Sequence, residues 1–223
     1  TTGTDNTSVG HGALDANTTA SNNTAVGSLA LSANTTGSDN TAVGVNCLDA
    51  NTTGVRNTAI GMNTLTANTT ANDNTALGQG AMFASETGAD NTAVGKSSLD
   101  ANTSGVQNSA VGKNSLGANT TGSLNVAVGL NAGLNITTAS SNTCVGAEAG
   151  DAITSGTGRM TILGRSADTD STNRHSAIAL GYNITTAATN SSFRVEGGNG
   201  VFHTGNTTTW STTSDQRIKK DIV

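Results

Sequence analysis

Aromatic side chains make up 2% of this 223-residue sequence, and proline is absent. Leu, Ile, Val and Phe together fill 38 positions, about 17%. That is too little apolar mass for an ordinary globular core and falls where disorder is the usual outcome. Disorder, however, pairs low hydrophobicity with high net charge, and here the net charge is only −5. Positive charge is also scarce. The sequence pI is about 4.9, and no basic stripe is present, which argues against a nucleic-acid binder. The clustered cations Arg217, Lys219 and Lys220 stand at the end. No apolar run reaches membrane-span length, so no membrane insertion is expected. Thr1 falls inside a repeat; no signal peptide is read ahead of it, and the start reads as a domain boundary.

Cysteine is nearly absent too. Cys47 and Cys144 lie in different repeat columns, about six units apart. At roughly 4.8 Å per stacked coil they are nearly 30 Å apart, too far for a bridge. Both occupy columns otherwise filled by alanine, so they are expected to be small buried thiols.

What is abundant is repetition. The string Asn-Thr-Ala-Val-Gly returns every 17 residues, with its glycine at Gly10, Gly27, Gly44, Gly61, Gly78, Gly95, Gly112, Gly129 and Gly146. After one inserted residue it continues at Gly164 and Gly181. A constant period means that each unit stacks on the last, giving a rod rather than a globule.

The columns say what kind of rod. Val9, Val26, Val43, Ile60, Leu77, Val94, Val111, Val128 and Val145 form one. Leu14, Leu31, Leu48, Leu65, Met82, Leu99 and Leu116 form a second, and Ala16, Ala33, Ala50, Ala67, Ala84, Ala101 and Ala118 a third. Each unit thus offers two sizeable apolar side chains, which are expected to fill a thin apolar interior. Glycine, Thr and Asn are too frequent for helix. Thr-Ala-Val alternates with the period of a strand, Thr7 and Val9 sharing one face and Ser8 the other. Asn-Thr-Thr-Gly reads as a corner. The sequence therefore predicts an all-β, parallel β-solenoid of eleven coils, with two short strands per coil and a length on the order of 50 Å. The columns of Asn6 and Asn17 are expected to form side-chain amide ladders. So thin a coil buries little, and a homo-oligomer is expected.

Regularity drifts from Gly133. Gly133 and Gly150 enter the Leu column, and Ile136 and Ile153 enter the corner asparagine column, where they can refill the vacated space. The insertion before Gly164 predicts a bulge or longer loop. The run from Phe193 to His203 reads as a strand, a Gly-Asn-Gly turn and a second strand. Three such hairpins could intertwine as a β-prism, and His203 could there meet its symmetry mates.

Two resemblances follow from these residues. The Ala-Val-Gly-x-x-Ala unit, over about residues 1–187, resembles the head repeat of trimeric autotransporter adhesins. That implies a trimeric, left-handed β-roll. The run Ser214-Asp215-Gln216-Arg217-Ile218-Lys219-Lys220-Asp221-Ile222 resembles the opening of the endosialidase-type intramolecular chaperone of phage tail fibres and tailspikes. That resemblance implies self-cleavage between Thr213 and Ser214, with Ser214 as nucleophile and Lys219 as its activating base. A hydroxyl needs a proton acceptor, and a lysine serves when burial lowers its pKa. Nearly all of that chaperone lies beyond Val223, so the pair is expected to be inactive in this chain.

The expected organisation is a solenoid over 1–187, a hairpin or β-prism module over 188–213, and the start of a truncated chaperone over 214–223. The expected function is a structural and receptor-binding component of a viral tail fibre. It would be a homotrimer on the virion, facing a host-surface receptor such as a glycan and joined to other tail proteins. The alternatives are the head of a bacterial cell-surface adhesin and, more remotely, an ice-binding solenoid. The adjacency of Thr18 and Thr19 speaks against the last. No external enzymatic activity, cofactor or metal is expected. His11, His175 and His203 are scattered, and the column of Asp15, Asp49 and Asp100 is interrupted by Ser32, Thr66 and Phe83. Gln79, Lys96 and Lys113 are expected to be exposed contact positions.

Overall fold

A computed structural model describes residues 2–156, 158–169, 176–186, 193–196, 201–203 and 211–212. Ten strands recur once per coil: β1 (Thr7–Val9), β2 (Thr24–Val26), β3 (Thr41–Val43), β4 (Thr58–Ile60), β5 (Thr75–Leu77), β6 (Thr92–Val94), β7 (Ser109–Val111), β8 (Val126–Val128), β9 (Thr143–Val145) and β10 (Thr161–Leu163). They are followed by β11 (Asp168–Thr169), β12 (Ile178–Gly181), β13 (Thr185–Thr186), β14 (Phe193–Glu196), β15 (Val201–His203) and β16 (Ser211–Thr212). There is no helix among the described residues. The chain is an all-β parallel solenoid.

Strands β1 to β10, β12 and β14 pair in parallel, each with the next. Like residues stack: Thr7 on Thr24, Ser8 on Ala25, Val9 on Val26. The inserted residue does not disturb this register, since Thr143 still stacks on Thr161 and that on Ile178. It is absorbed between Ile153 and Met160, outside the strands. The sheet then reverses. Strand β15 runs antiparallel to β14, with Phe193 opposite His203, and β16 runs antiparallel to β15.

The expectation of two strands per coil is corrected. Coils one to nine, numbered from Gly10 onward, carry a single three-residue strand each. A second sheet of two-residue strands, β11 on β13, appears only at the far end. The cause is the leucine column. Leu14, Leu31, Leu48, Leu65, Met82, Leu99 and Leu116 all adopt φ between 50° and 53°, which breaks any extended run. Left-handed backbone costs a non-glycine residue roughly 1–2 kcal/mol. The leucine side chains are buried almost completely in return, a gain of about 1.5–3 kcal/mol each. Hydrogen bonds between coils also continue through this segment, as from Leu31 N–H to the Cys47 carbonyl at 3.0 Å.

The expected interior is corrected as well. The middle residue of each strand points inward: Ala25, Ala42, Ala59, Ala76, Ala93, Ala110, Ala127, Cys144 and Ile162 are fully buried. The core is this column packed against the leucine column and Ala30, Cys47 and Ala81. The Val column faces outward. Where Gly133 and Gly150 replace leucine, Ile136 and Ile153 fill the gap as expected, both buried. A Cβ on Gly133 would lie 3.0 Å from Ile136 Cδ1.

Both asparagine ladders are present. In the first, each Asn Oδ1 accepts from the backbone N–H of the asparagine one coil on, as from Asn40 to Asn23 at 2.9 Å. Its Nδ2 donates to a carbonyl fourteen residues ahead, as from Asn40 to Gly54 at 2.8 Å. The series ends at Met160, whose N–H donates to Asn142 Oδ1 and whose sulfur accepts from Ala177 N–H at 3.4 Å. In the second ladder, Asn51 Nδ2 donates to Asn34 Oδ1 at 2.9 Å. Buried amides so paired repay their desolvation and hold the coil spacing.

Candidate interaction face

The strands show one flat face to solvent. Because side chains alternate along a strand, burying alanine turns its two neighbours outward together. One outward rank is Thr7, Thr24, Thr41, Thr58, Thr75, Thr92, Ser109, Val126, Thr143, Thr161 and Ile178. The other is the Val column, continued by Leu163 and Leu180. None of these positions is charged, and all are exposed or half-buried. Val9 is 58% exposed and Leu77 45%.

Two flanks border this face. Before each of β1 to β10 and β12 stands a residue in the left-handed region, among them Asp39 (φ 62°), Arg56 (φ 56°), Asp90 (φ 59°) and Leu124 (φ 60°). Asp and Asn suit such corners. After each strand, beyond the glycine, comes the second flank, with His11, Val45, Met62, Gln79, Lys96, Lys113, Leu130 and Tyr182 exposed. Gln79, Lys96 and Lys113 thus lie where the sequence places them, at the surface. On the first flank Arg56 grips Asp73 of the next coil in two bonds, Nε to Oδ1 at 2.6 Å and Nη2 to Oδ2 at 2.8 Å. The Arg56 hydrogen bond holds the Asp73 carboxyl below its ordinary range. On the second flank Arg165 lies over the Tyr182 ring, 5.2 Å from its centre.

Coil eight is the exception to the periodic pattern. Leu124, Val126, Val128 and Leu130 are all turned outward, so an apolar stripe crosses the face from one flank to the other. Their exposures are 55%, 38%, 39% and 47%.

Among the described residues no group of three His, Cys, Asp or Glu could hold a metal ion. Both cysteines are free and buried, and burial pushes each thiol up to about 12. Burial also raises Asp49 and Asp100, and raises Asp168 to about 6 with help from the charge of Asp151. Ser214 and Lys219, like Thr213 and His175, lie outside the described residues, and so does the His203 side chain.

The outward face is the feature that sequence reasoning missed. Repeat-to-repeat variation carried the signal. The inward column holds small residues through the first nine strands, while the outward one exchanges Val, Ile and Leu freely. No family model, curated protein or solved structure matches this chain.

Proposed function

We propose that this chain is a structural and receptor-binding part of a viral tail fibre: a rigid homotrimeric shaft or tip, carried on the virion for attachment to a host surface. The outward strand face is the observation that carries the reading. Two uncharged ranks, one of them Val, Ile and Leu, run along the whole stack. A continuous exposed apolar stripe marks an interaction surface, and closed cyclic association covers it on every copy. The Asn-Thr-Thr-Gly corners, exposed at Thr36, Thr53 and Thr121, stay free to meet a receptor. Repeated identical contacts to a surface glycan would add by multivalency. The terminal run from Ser214 to Ile222 favours a tail fibre, with other tail proteins as neighbours, over the head of a bacterial surface adhesin.

Light scattering tests the assembly: the expected mass is three times the 22.0 kDa chain, and a monomer at every concentration overturns the reading. Fusing a complete endosialidase-type chaperone domain in frame at the Ser214–Ile222 run tests the phage assignment. Cleavage between Thr213 and Ser214 is expected, and loss of cleavage in Ser214→Ala. Cutting that persists in the variant removes Ser214 from the role.

A second reading draws on the same face. Its Thr rank repeats at fixed spacing on a parallel sheet, which an ice-binding solenoid requires. The companion rank is Val rather than Thr, and this favours the first reading. Thermal hysteresis in purified protein would reverse the order.

A further inference from the structure

A face built from equal coils has a register problem. Two copies lying side by side can slide by one coil, about 4.8 Å, and meet almost the same surface again. Thr slides onto Thr or Ser, and Val onto Val, Ile or Leu. Something aperiodic must fix the alignment.

We propose that coil eight is the register key between copies of this chain, with Leu124 of one copy packing against Leu130 of the next. This rests on the homo-oligomer reading above. In a parallel ring whose strand faces turn toward the axis, the first flank of each copy meets the second flank of its neighbour. Aligned copies then set coil against equal coil. Leu124 meets Leu130, two of the most exposed aliphatic side chains on the described surface. Asp90 meets Lys96, and Asp5 meets His11. Val126, standing where coils one to seven, nine and ten carry Thr or Ser, makes the same level apolar between the flanks.

Slipping loses this match in either direction. One step sets Leu124 against Lys113 and Leu130 against Ser141. The opposite step sets Leu124 against Ala147 and Leu130 against Gln107. The opposite step also sets Asp73 against Lys96 and Asp90 against Lys113, but Asp73 is already held by Arg56 and exposed ion pairs contribute little. Burying leucine beside a lysine or an unpaired amide is unfavourable, so the leucine match decides for the aligned state. Alignment also brings Arg159 toward Arg165, whose guanidinium is engaged along the stack by Tyr182.

Cysteine pairs placed in the full chain test the register directly. Leu124→Cys with Leu130→Cys marks the aligned state. Leu124→Cys with Lys113→Cys and Leu124→Cys with Ala147→Cys mark the two slipped states. All four positions are at the surface, and the native thiols are buried. Mild oxidation and non-reducing electrophoresis should give covalent multimers in the first variant and at least tenfold less in the other two. Light scattering runs in parallel. An oligomer in which a slipped pair cross-links as well as the aligned pair, or in which the aligned pair fails, overturns the register key and leaves the assembly standing. A monomer removes both. Leu124→Glu alone should lower the oligomer's melting temperature, and adding Leu130→Lys should restore it. No restoration counts against the contact.

Discussion

Asn68 and Ser85 meet where the second asparagine ladder stops. Asn68 Nδ2 donates to Asn51 Oδ1 at 2.9 Å. Its own Oδ1 is buried without a partner, and so is the Ser85 hydroxyl. Beyond the break the ladder resumes, with Asn119 Nδ2 donating to Asn102 Oδ1 at 2.9 Å. Ser85→Asn should join the halves. The new amide would find Asn68 Oδ1 and the Gly88 carbonyl as acceptors and Asn102 Nδ2 as donor, the arrangement already made by Asn51. A gain of about 1 kcal/mol is expected, read as a higher denaturation midpoint. A lower midpoint would show that the slot in this coil is too tight.

The orientation of the strands predicts opposite outcomes for neighbours. Ala93 is fully buried, and Ala93→Val should overpack the coil at a cost of about 1–3 kcal/mol. Val94→Ala, one residue on, should leave the stability of the single coil stack nearly unchanged. Leu99→Ala, in the core, should cost about 2–5 kcal/mol. Urea denaturation of the three variants under conditions that keep the chain monomeric separates inside from outside.

Much of this was legible in the sequence, and the misreadings have a common cause. The 17-residue period, the Asn-Thr-Thr-Gly corners and the two ladders follow from spacing and from what those side chains can do. Strand alternation tells which residues share a face but not which face is inside. Placing Val inside applied the ordinary ranking of buried residues. That ranking fails in so narrow a coil, where leucines entering from a corner leave room only for alanine beneath the strand. Those leucines reach the core through left-handed backbone, a conformation their type gives no reason to expect. The same conformation removes the second strand. The isoleucine replacements at Ile136 and Ile153 were readable, because their gain coincides with loss of leucine three residues earlier.

Glycine stacking gives a sharp steric prediction. Gly95 has φ 133°, and a Cβ there would lie 2.5 Å from the Gly112 carbonyl oxygen. Backbone of the next coil is the obstacle, so no rotamer change relieves it. Gly95→Ala should lower the melting temperature by more than Val94→Ala does. Circular dichroism melts of the two proteins make the comparison.

Stability should depend on pH through Asp168. Its folded-state pKa is raised to about 6, above the ordinary value of about 3.9. The folded state therefore holds the proton more tightly, and stability is lost as pH rises from about 4 through 6. Melting temperature should be higher at pH 4.5 than at pH 7.5. Asp168→Asn should flatten this slope, and an unchanged slope would assign it elsewhere.

The thiols should be silent. With both raised to about 12, about one in ten thousand is ionised at pH 8. A thiol-specific chromogenic reagent should register no cysteine in the native protein and two after denaturation. Rapid native labelling would contradict the burial of Cys47 or Cys144.

The exact stacking of Thr7 on Thr24, repeated coil after coil, makes length a whole-number property. A coil duplicated or deleted at the level of the gene leaves every junction as it was, so rods of different copy number can arise in single steps. A key at coil eight would act as a fixed origin for such counting. Copies of unequal length would align from that point and differ only at their ends.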